Sequence, residues 1–230
     1  MKKFSFAALS FVALALAACD IGGIRGNGHV VTEQRSVDPF TNVDAGGAFD
    51  IEWSSGAPSA AVTADENLQQ YIEVTTRDNV LRLRTRESIH FARSLKVTIT
   101  SSALEAAKLS GASKLVAHQV KGTKFFLETT GAAKVTVDGR VDELIANMTG
   151  ASNLFADSLQ TNNAQISVTG AGKARIAVSD SLKASITGAG KVEYTGNPAH
   201  VEREIAGAGA IRRRGAGPSA GPVVFGRSRD

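Results

Sequence analysis

Three sets of residues in this chain could do chemistry. Lys114, Lys134, Lys173 and Lys191 recur at regular intervals, with Asn153 interrupting the series. A row of evenly spaced cations could meet acidic polysaccharide or lipid head groups. The same row also suits a solvated edge whose splayed lysines discourage sideways strand pairing. His118, Asp138 and Asp157 form a second recurrent set. Such donors could converge on a divalent ion or act as the carboxylates of a glycan-cleaving enzyme, while solvent-facing turns are equally rich in Asp. Cys19 is the third, and the chain contains no other cysteine. It cannot form an internal disulfide, so its chemistry must be of another kind.

A repeat positions the first two sets. Ser110-Gly111-Ala112, Thr130-Gly131-Ala132, Thr149-Gly150-Ala151, Thr169-Gly170-Ala171, Thr187-Gly188-Ala189 and Ala206-Gly207-Ala208 place their glycines 20, 19, 20, 18 and 19 residues apart. A short fixed period marks a solenoid, whose coils bury apolar surface only by stacking on their neighbours. Between the glycines, apolar residues alternate: Ala164, Ile166 and Val168 precede one turn, and Ala174, Ile176 and Val178 follow it. Alternation is a strand pattern, and a helical solenoid needs roughly 30 or more residues per repeat. The expected fold is all-β, a right-handed parallel β-helix (β-solenoid) with coils of about 19 residues. At about 4.8 Å per coil, six repeats make a core roughly 29 Å long.

Columns follow from the stacking. Leu109, Thr129, Met148, Val168, Ile186 and Ile205 stand two residues before the glycine, and Leu115, Val135, Leu154, Ala174, Val192 and Ile211 four after it. Both columns should face inward. The alanine directly after each glycine is expected at a tight inner corner, and the glycine to supply a positive φ or a close backbone approach. The preceding Ser or Thr should form a hydroxyl ladder able to hydrogen-bond along the stack.

The rest of the chain frames this repeat. Lys2 and Lys3, the apolar run from Phe4 to Ala15 and the small residues before Cys19 read as a secretory signal over residues 1–18, too short to span a bilayer comfortably. Leu16-Ala17-Ala18-Cys19 resembles the lipobox of bacterial lipoproteins. That resemblance implies diacylglyceryl transfer to the Cys19 thiol, cleavage before it, and palmitate-type acylation of the new amino terminus. Residues 19–28 are then the lipidated cysteine and a Gly-rich flexible tether. A single domain is expected over 29–214, with irregular coils and a cap over 29–106 and regular repeats over 107–214. Candidate strands in the irregular part are Val30 to Glu33, Ala48 to Trp53, Ala60 to Thr63, Ile72 to Thr76, Val80 to Thr85 and Leu95 to Thr100. Gly46-Gly47-Ala48-Phe49 looks like a degenerate copy of the later turn. Residues 215–230, rich in Gly, Pro and Ala, are expected to be a disordered tail.

The last coils carry a family resemblance. Thr187-Gly188-Ala189-Gly190-Lys191-Val192-Glu193-Tyr194-Thr195-Gly196-Asn197-Pro198, with Ile205-Ala206-Gly207-Ala208-Gly209, is similar to the family described as putative auto-transporter adhesin, head GIN domain. The match runs over Phe40 to Arg212. It implies a β-helical envelope protein, often a lipoprotein, and supplies no catalytic motif to carry over.

Composition narrows the function classes. The formal charge of +4 includes Lys2 and Lys3 of the signal, and five further basic residues lie beyond Ile211, so the rod itself is near neutral. Aromatics are 6% of the chain. A nucleic-acid partner would want a basic stripe with aromatic stacking platforms, so none is expected. The four histidines, His29, His90, His118 and His200, are scattered, and no serine sits in a nucleophile turn. The expectation is a non-enzymatic envelope protein, without cofactor, held to the inner or outer membrane through Cys19. It would present an extended surface to an envelope or extracellular polysaccharide or to another envelope protein. Two alternatives stand beside it: a polysaccharide lyase or hydrolase using Asp138, Asp157 and His118, and a structural envelope rod.

Overall fold

In the computed structural model, which describes residues 22–92 and 95–215, Gly47, Gly111, Gly131, Gly150, Gly170, Gly188 and Gly207 stand in one column. Each is the register partner of the next. All seven have positive φ. A Cβ on any from Gly111 onward would lie 2.4–2.7 Å from the carbonyl oxygen of the glycine one coil earlier. Backbone conformation and close approach therefore demand glycine together. The stacked coils make a solenoid of about five turns.

The strands are β1 (Ile24–Arg25), β2 (Val30–Arg35), β3 (Asn42–Gly47), β4 (Asp50–Ser55), β5 (Ser59–Asp65), β6 (Ile72–Arg77), β7 (Val80–Thr85), β8 (Ile89–His90), β9 (Lys96–Ser101) and β10 (Ala106–Gly111). The regular repeat adds β11 (Lys114–Gly131), β12 (Lys134–Gly150), β13 (Asn153–Gly170), β14 (Lys173–Gly188), β15 (Lys191–Thr195), β16 (His200–Gly207) and β17 (Ala210–Arg213). Strands β10 to β17 pair only in parallel, coil upon coil. Strand accounts for 72% of the described residues. The fold is a β-solenoid, as the alternation requires.

Both apolar columns point inward. From Leu109 to Ile186 and from Leu115 to Val192 every member is buried, whereas Ile205 in the last coil is 44% exposed because no further coil covers it. Thr129, the one polar member, leaves its hydroxyl without a hydrogen-bond partner. The inner corner differs from expectation. The alanine after each glycine, Ala112 through Ala208, is exposed, and the next residue turns inward instead: Ser113, Ala133, Ser152, Gly172 and Gly190. The positive φ at glycine rotates the chain so that the residue two positions on meets the core. Ser113 and Ser152 fit there because their hydroxyls donate to the carbonyls of Gly47 (3.1 Å) and Gly131 (3.3 Å). The expected hydroxyl ladder is present as a column, but it faces solvent. Ser110 alone donates within the described residues, to the Ala45 carbonyl at 3.5 Å.

The irregular part is a true coil plus an antiparallel cap. Strands β3 and β4 pair in parallel with β10 and β11 and with β7 and β9. By contrast, β2 with β5, β5 with β9, and β6 with β7 are antiparallel. An end of a solenoid exposes unpaired backbone, and reversing strand direction lets short hairpins cover it. Trp53, fully buried under this cap, donates its indole N–H to the Ser101 hydroxyl at 2.8 Å.

Residues 22–28, read from composition as part of a flexible tether, are docked. Strand β1 pairs with β8, and the buried Asp65 carboxylate accepts from the backbone amides of Gly28 (2.8 Å) and Ala92 (3.0 Å). Asn67 adds a carboxamide bridge, accepting from the Asn27 amide and donating to the Arg25 carbonyl. A buried carboxylate needs such donors, and this one finds them by gathering the N-terminal segment. Cys19, the signal over 1–18 and most of the tail lie outside the described residues.

Candidate functional site

The lysine series forms one in-register column on an outer face. Asp50, Lys114, Lys134, Asn153, Lys173, Lys191 and Ala210 are successive register partners from β4 to β17. Two residues further along each strand lies a second outward column: Val116, Thr136, Phe155, Arg175, Glu193 and Arg212. Like charges stacked at coil spacing repel unless neutralised. Lys114 pairs with Asp50 at 3.2 Å, and Lys191 pairs with Glu193. Arg175 also reaches Glu193, at 3.3 Å. The Glu193 carboxyl is held below the usual carboxylate range, first by the Lys191 hydrogen bond, with Arg175 adding to it. Lys134 and Lys173 form no ion pair among the described residues.

Phe155 breaks the polar pattern of its column. Its ring is half-buried beneath two cations, with Lys134 Nζ 5.4 Å and the Arg175 guanidinium 5.5 Å from its centroid. A depression of about 240 Å³ is lined here by Asn153, Phe155, Lys173, Arg175, Lys191 and Glu193. Sequence reading passed over Phe155, although an aromatic among Val, Thr, Arg and Glu at one repeat position was the available signal.

Only part of the His118, Asp138 and Asp157 set comes together. His118 Nδ1 lies 2.9 Å from Asp138 Oδ2, and Asp138 Oδ1 accepts from the Gln119 amide at 2.7 Å. Asp157 is out of register, because Thr136 pairs with Phe155 while Asp138 pairs with Ser158, and the extra residue bulges outward. Among the described residues no group of three or more His, Cys, Asp or Glu could hold a metal ion. Asp138 instead steadies a corner where Gln119 adopts φ 54° and Gly139 φ 129°. We expect Asp138→Ala to cost about 1–2 kcal/mol in chemical denaturation, since it orphans the Gln119 amide beside a left-handed residue. Asp157→Ala should stay within about 0.5 kcal/mol of the parent. Equal effects of the two would overturn this division.

A second depression, of about 500 Å³, arises where coil lengths differ. Strand β14 is shorter than β13, so register slips between Ala156 and Gln160 and again between Thr161 and Asn163. The step is lined by Arg140, Gln160, Asn162, Ser179 and Asn197, among others.

The face before the glycine turn, built on β10 and its successors, carries paired charges. Lys108 pairs with Glu128 (2.9 Å), Lys183 with Glu202 (3.1 Å) and Arg84 with Asp44 (2.8 Å). Among the described residues no helix is long and apolar enough to cross a membrane.

Comparison with known proteins agrees with this architecture. Solved structures of putative adhesins from Bacteroides fragilis (21% identity, TM-score 0.63) and Parabacteroides merdae (23% identity, TM-score 0.54) share the fold. Each covers 84% of this chain, over 100% and 99% of their own lengths. A structure from Parabacteroides distasonis titled putative lipid binding protein is similar at 19% identity and TM-score 0.52, covering 84% of this chain and 100% of its own. No curated protein matches the chain. The family model described as putative auto-transporter adhesin, head GIN domain, matches residues 39–198. The chain belongs to that family.

Proposed function

We propose that this is a lipid-anchored cell-envelope protein that binds a glycan or protein partner along a lateral face of its solenoid, without catalysis. The observation that carries the reading is the unbroken parallel register of outward columns from β4 to β17, which makes a long flat face and no deep catalytic cleft. Binding on such a face uses many shallow contacts rather than one enclosed pocket. The split of His118 and Asp138 from Asp157 weighs against paired carboxylates for glycan cleavage.

Docking of the N-terminal segment shapes the anchoring. Among the described residues the first paired one is Ile24, and a leash from Cys19 to it spans only about five residues, at most roughly 17 Å. The cap end of the solenoid would therefore stay close to the membrane surface. Several acyl chains on one residue give stable attachment where one would be marginal.

The test is retention of purified full-length chain, in detergent, on isolated cell-envelope material. Binding lost after periodate treatment identifies a glycan partner, and binding lost after protease identifies a protein. No retention on untreated envelopes, or release of new reducing sugar ends, would overturn the reading.

A further inference from the structure

We infer that the saddle of Lys134, Phe155 and Arg175, extended along the stack by Lys173 and Lys191, binds a linear acidic polysaccharide of the uronic-acid type, laid parallel to the solenoid axis. This deepens the function proposed above and rests on it.

Selective absence of counter-charges points to an outside anion. Elsewhere on the molecule, Lys121 excepted, the lysines of the described residues meet carboxylates in neighbouring strands: Lys96 with Glu52, Lys108 with Glu128, Lys124 with Glu143 and Lys183 with Glu202, at 2.7–3.1 Å. On this face the chain leaves Lys134 and Lys173 without a carboxylate, and makes two cations, Lys191 and Arg175, share Glu193. The two unpaired lysines lie on either side of the Asn153 coil, so the excess positive charge is spread along the axis with a spacing of roughly 9.6 Å between them, two coils of about 4.8 Å. A linear polymer with one carboxylate per sugar matches a line of charge better than a compact anion does.

Phe155 supplies what a purely electrostatic stripe lacks. Its half-buried ring, with Lys134 and Arg175 over it, leaves an apolar edge for the C–H face of a sugar. The cations on either side are placed to take carboxylates of adjoining sugars, with charge-assisted hydrogen bonds from the Arg175 guanidinium. The Asn153 carboxamide, in the lysine column, can donate to and accept from sugar hydroxyls. Asn153, Phe155 and Arg175 line the 240 Å³ depression, and Lys134 lies over the Phe155 ring.

Other polyanions fit less well. Outward apolar groups on these two columns are Val116, Phe155 and the small Ala210, all partly covered, far short of the continuous apolar face used for lipid insertion. A single aromatic gives one stacking platform, whereas single-stranded nucleic acid binding strings several together.

The experiment measures binding of the full-length chain in detergent to polygalacturonate, with dextran, single-stranded DNA and phosphatidylglycerol vesicles as comparators. Expected is saturable binding to polygalacturonate, lost between about 50 mM and about 500 mM salt as screening shortens, and none to dextran. The triple variant Lys134→Ala/Lys173→Ala/Lys191→Ala should weaken it at least about tenfold. Phe155→Ser should weaken it several-fold with the salt dependence retained. Lys108→Ala, on the face before the glycine turn, is the control and should leave binding unchanged. These side chains lie outside the core, so the variants stay folded. Equal binding to dextran, tighter binding to DNA or vesicles, or indifference to the triple substitution would overturn the inference. Retention on native envelopes alongside any of these would leave the broader function standing.

Discussion

Gly150→Ala is expected to lower the thermal midpoint by roughly 6–12 °C, a large loss for one added methyl group. Gly150 has φ +100° and sits mid-stack, where a Cβ would lie 2.4 Å from the Gly131 carbonyl oxygen. Two costs add: the conformation is strained for an L-residue, and the coils must part to relieve the contact. Together they amount to about 3 kcal/mol or more. The Gly131 carbonyl also accepts from the Ala151 amide at 2.8 Å, so parting the coils weakens that bond as well. Circular dichroism melts check it, with the exposed neighbour substituted as Ala151→Ser for comparison. That control should melt within about 2 °C of the parent. A Gly150→Ala protein melting with the parent would show that the column tolerates a side chain.

Cys19→Ser should move the protein almost completely from the membrane pellet to the soluble fraction after export. Anchoring through several acyl chains on one residue is near all-or-none, because removal of the thiol leaves no second attachment. The contacts that dock residues 22–28 do not involve Cys19, so the released protein should keep its β-sheet circular dichroism spectrum. Protease treatment of intact cells then separates locations. Digestion of the anchored protein from outside puts the solenoid on the surface, and protection until the outer layer is opened puts it in the periplasm. Persistence of the variant in the pellet after salt and carbonate washes would overturn the anchor.

Much of this protein is legible one repeat at a time. The glycine column, the two inward columns and the parallel register each repeat five or six times, and period-two alternation needs only local residues to declare itself. Gly47 as an early copy of the turn was visible for the same reason, and it stacks on Gly111. The Ala column misled because composition marks a small residue without saying which way a positive φ turns the chain. Ser113 and Ser152 hold the inner corner instead.

What the tertiary structure decided lies where coils differ from one another. Asp157 left the His118 and Asp138 set because one extra residue changed the register, and the depression beside Arg140 appeared because β14 is shorter than β13. Repetition cannot announce such steps, since each depends on the length of the neighbouring coil. Asp65 gathered residues 22–28 from 37 positions away, and the cap reversed strand direction to cover an open end. The cations over Phe155 meet it only after stacking: Lys134 lies one coil before it and Arg175 one coil after. Sequence alone determined the coil and its columns because their cause is local periodicity. The charge balance of each face and the docking of the N-terminal segment waited on stacking, because their partners are neighbours in space rather than along the chain.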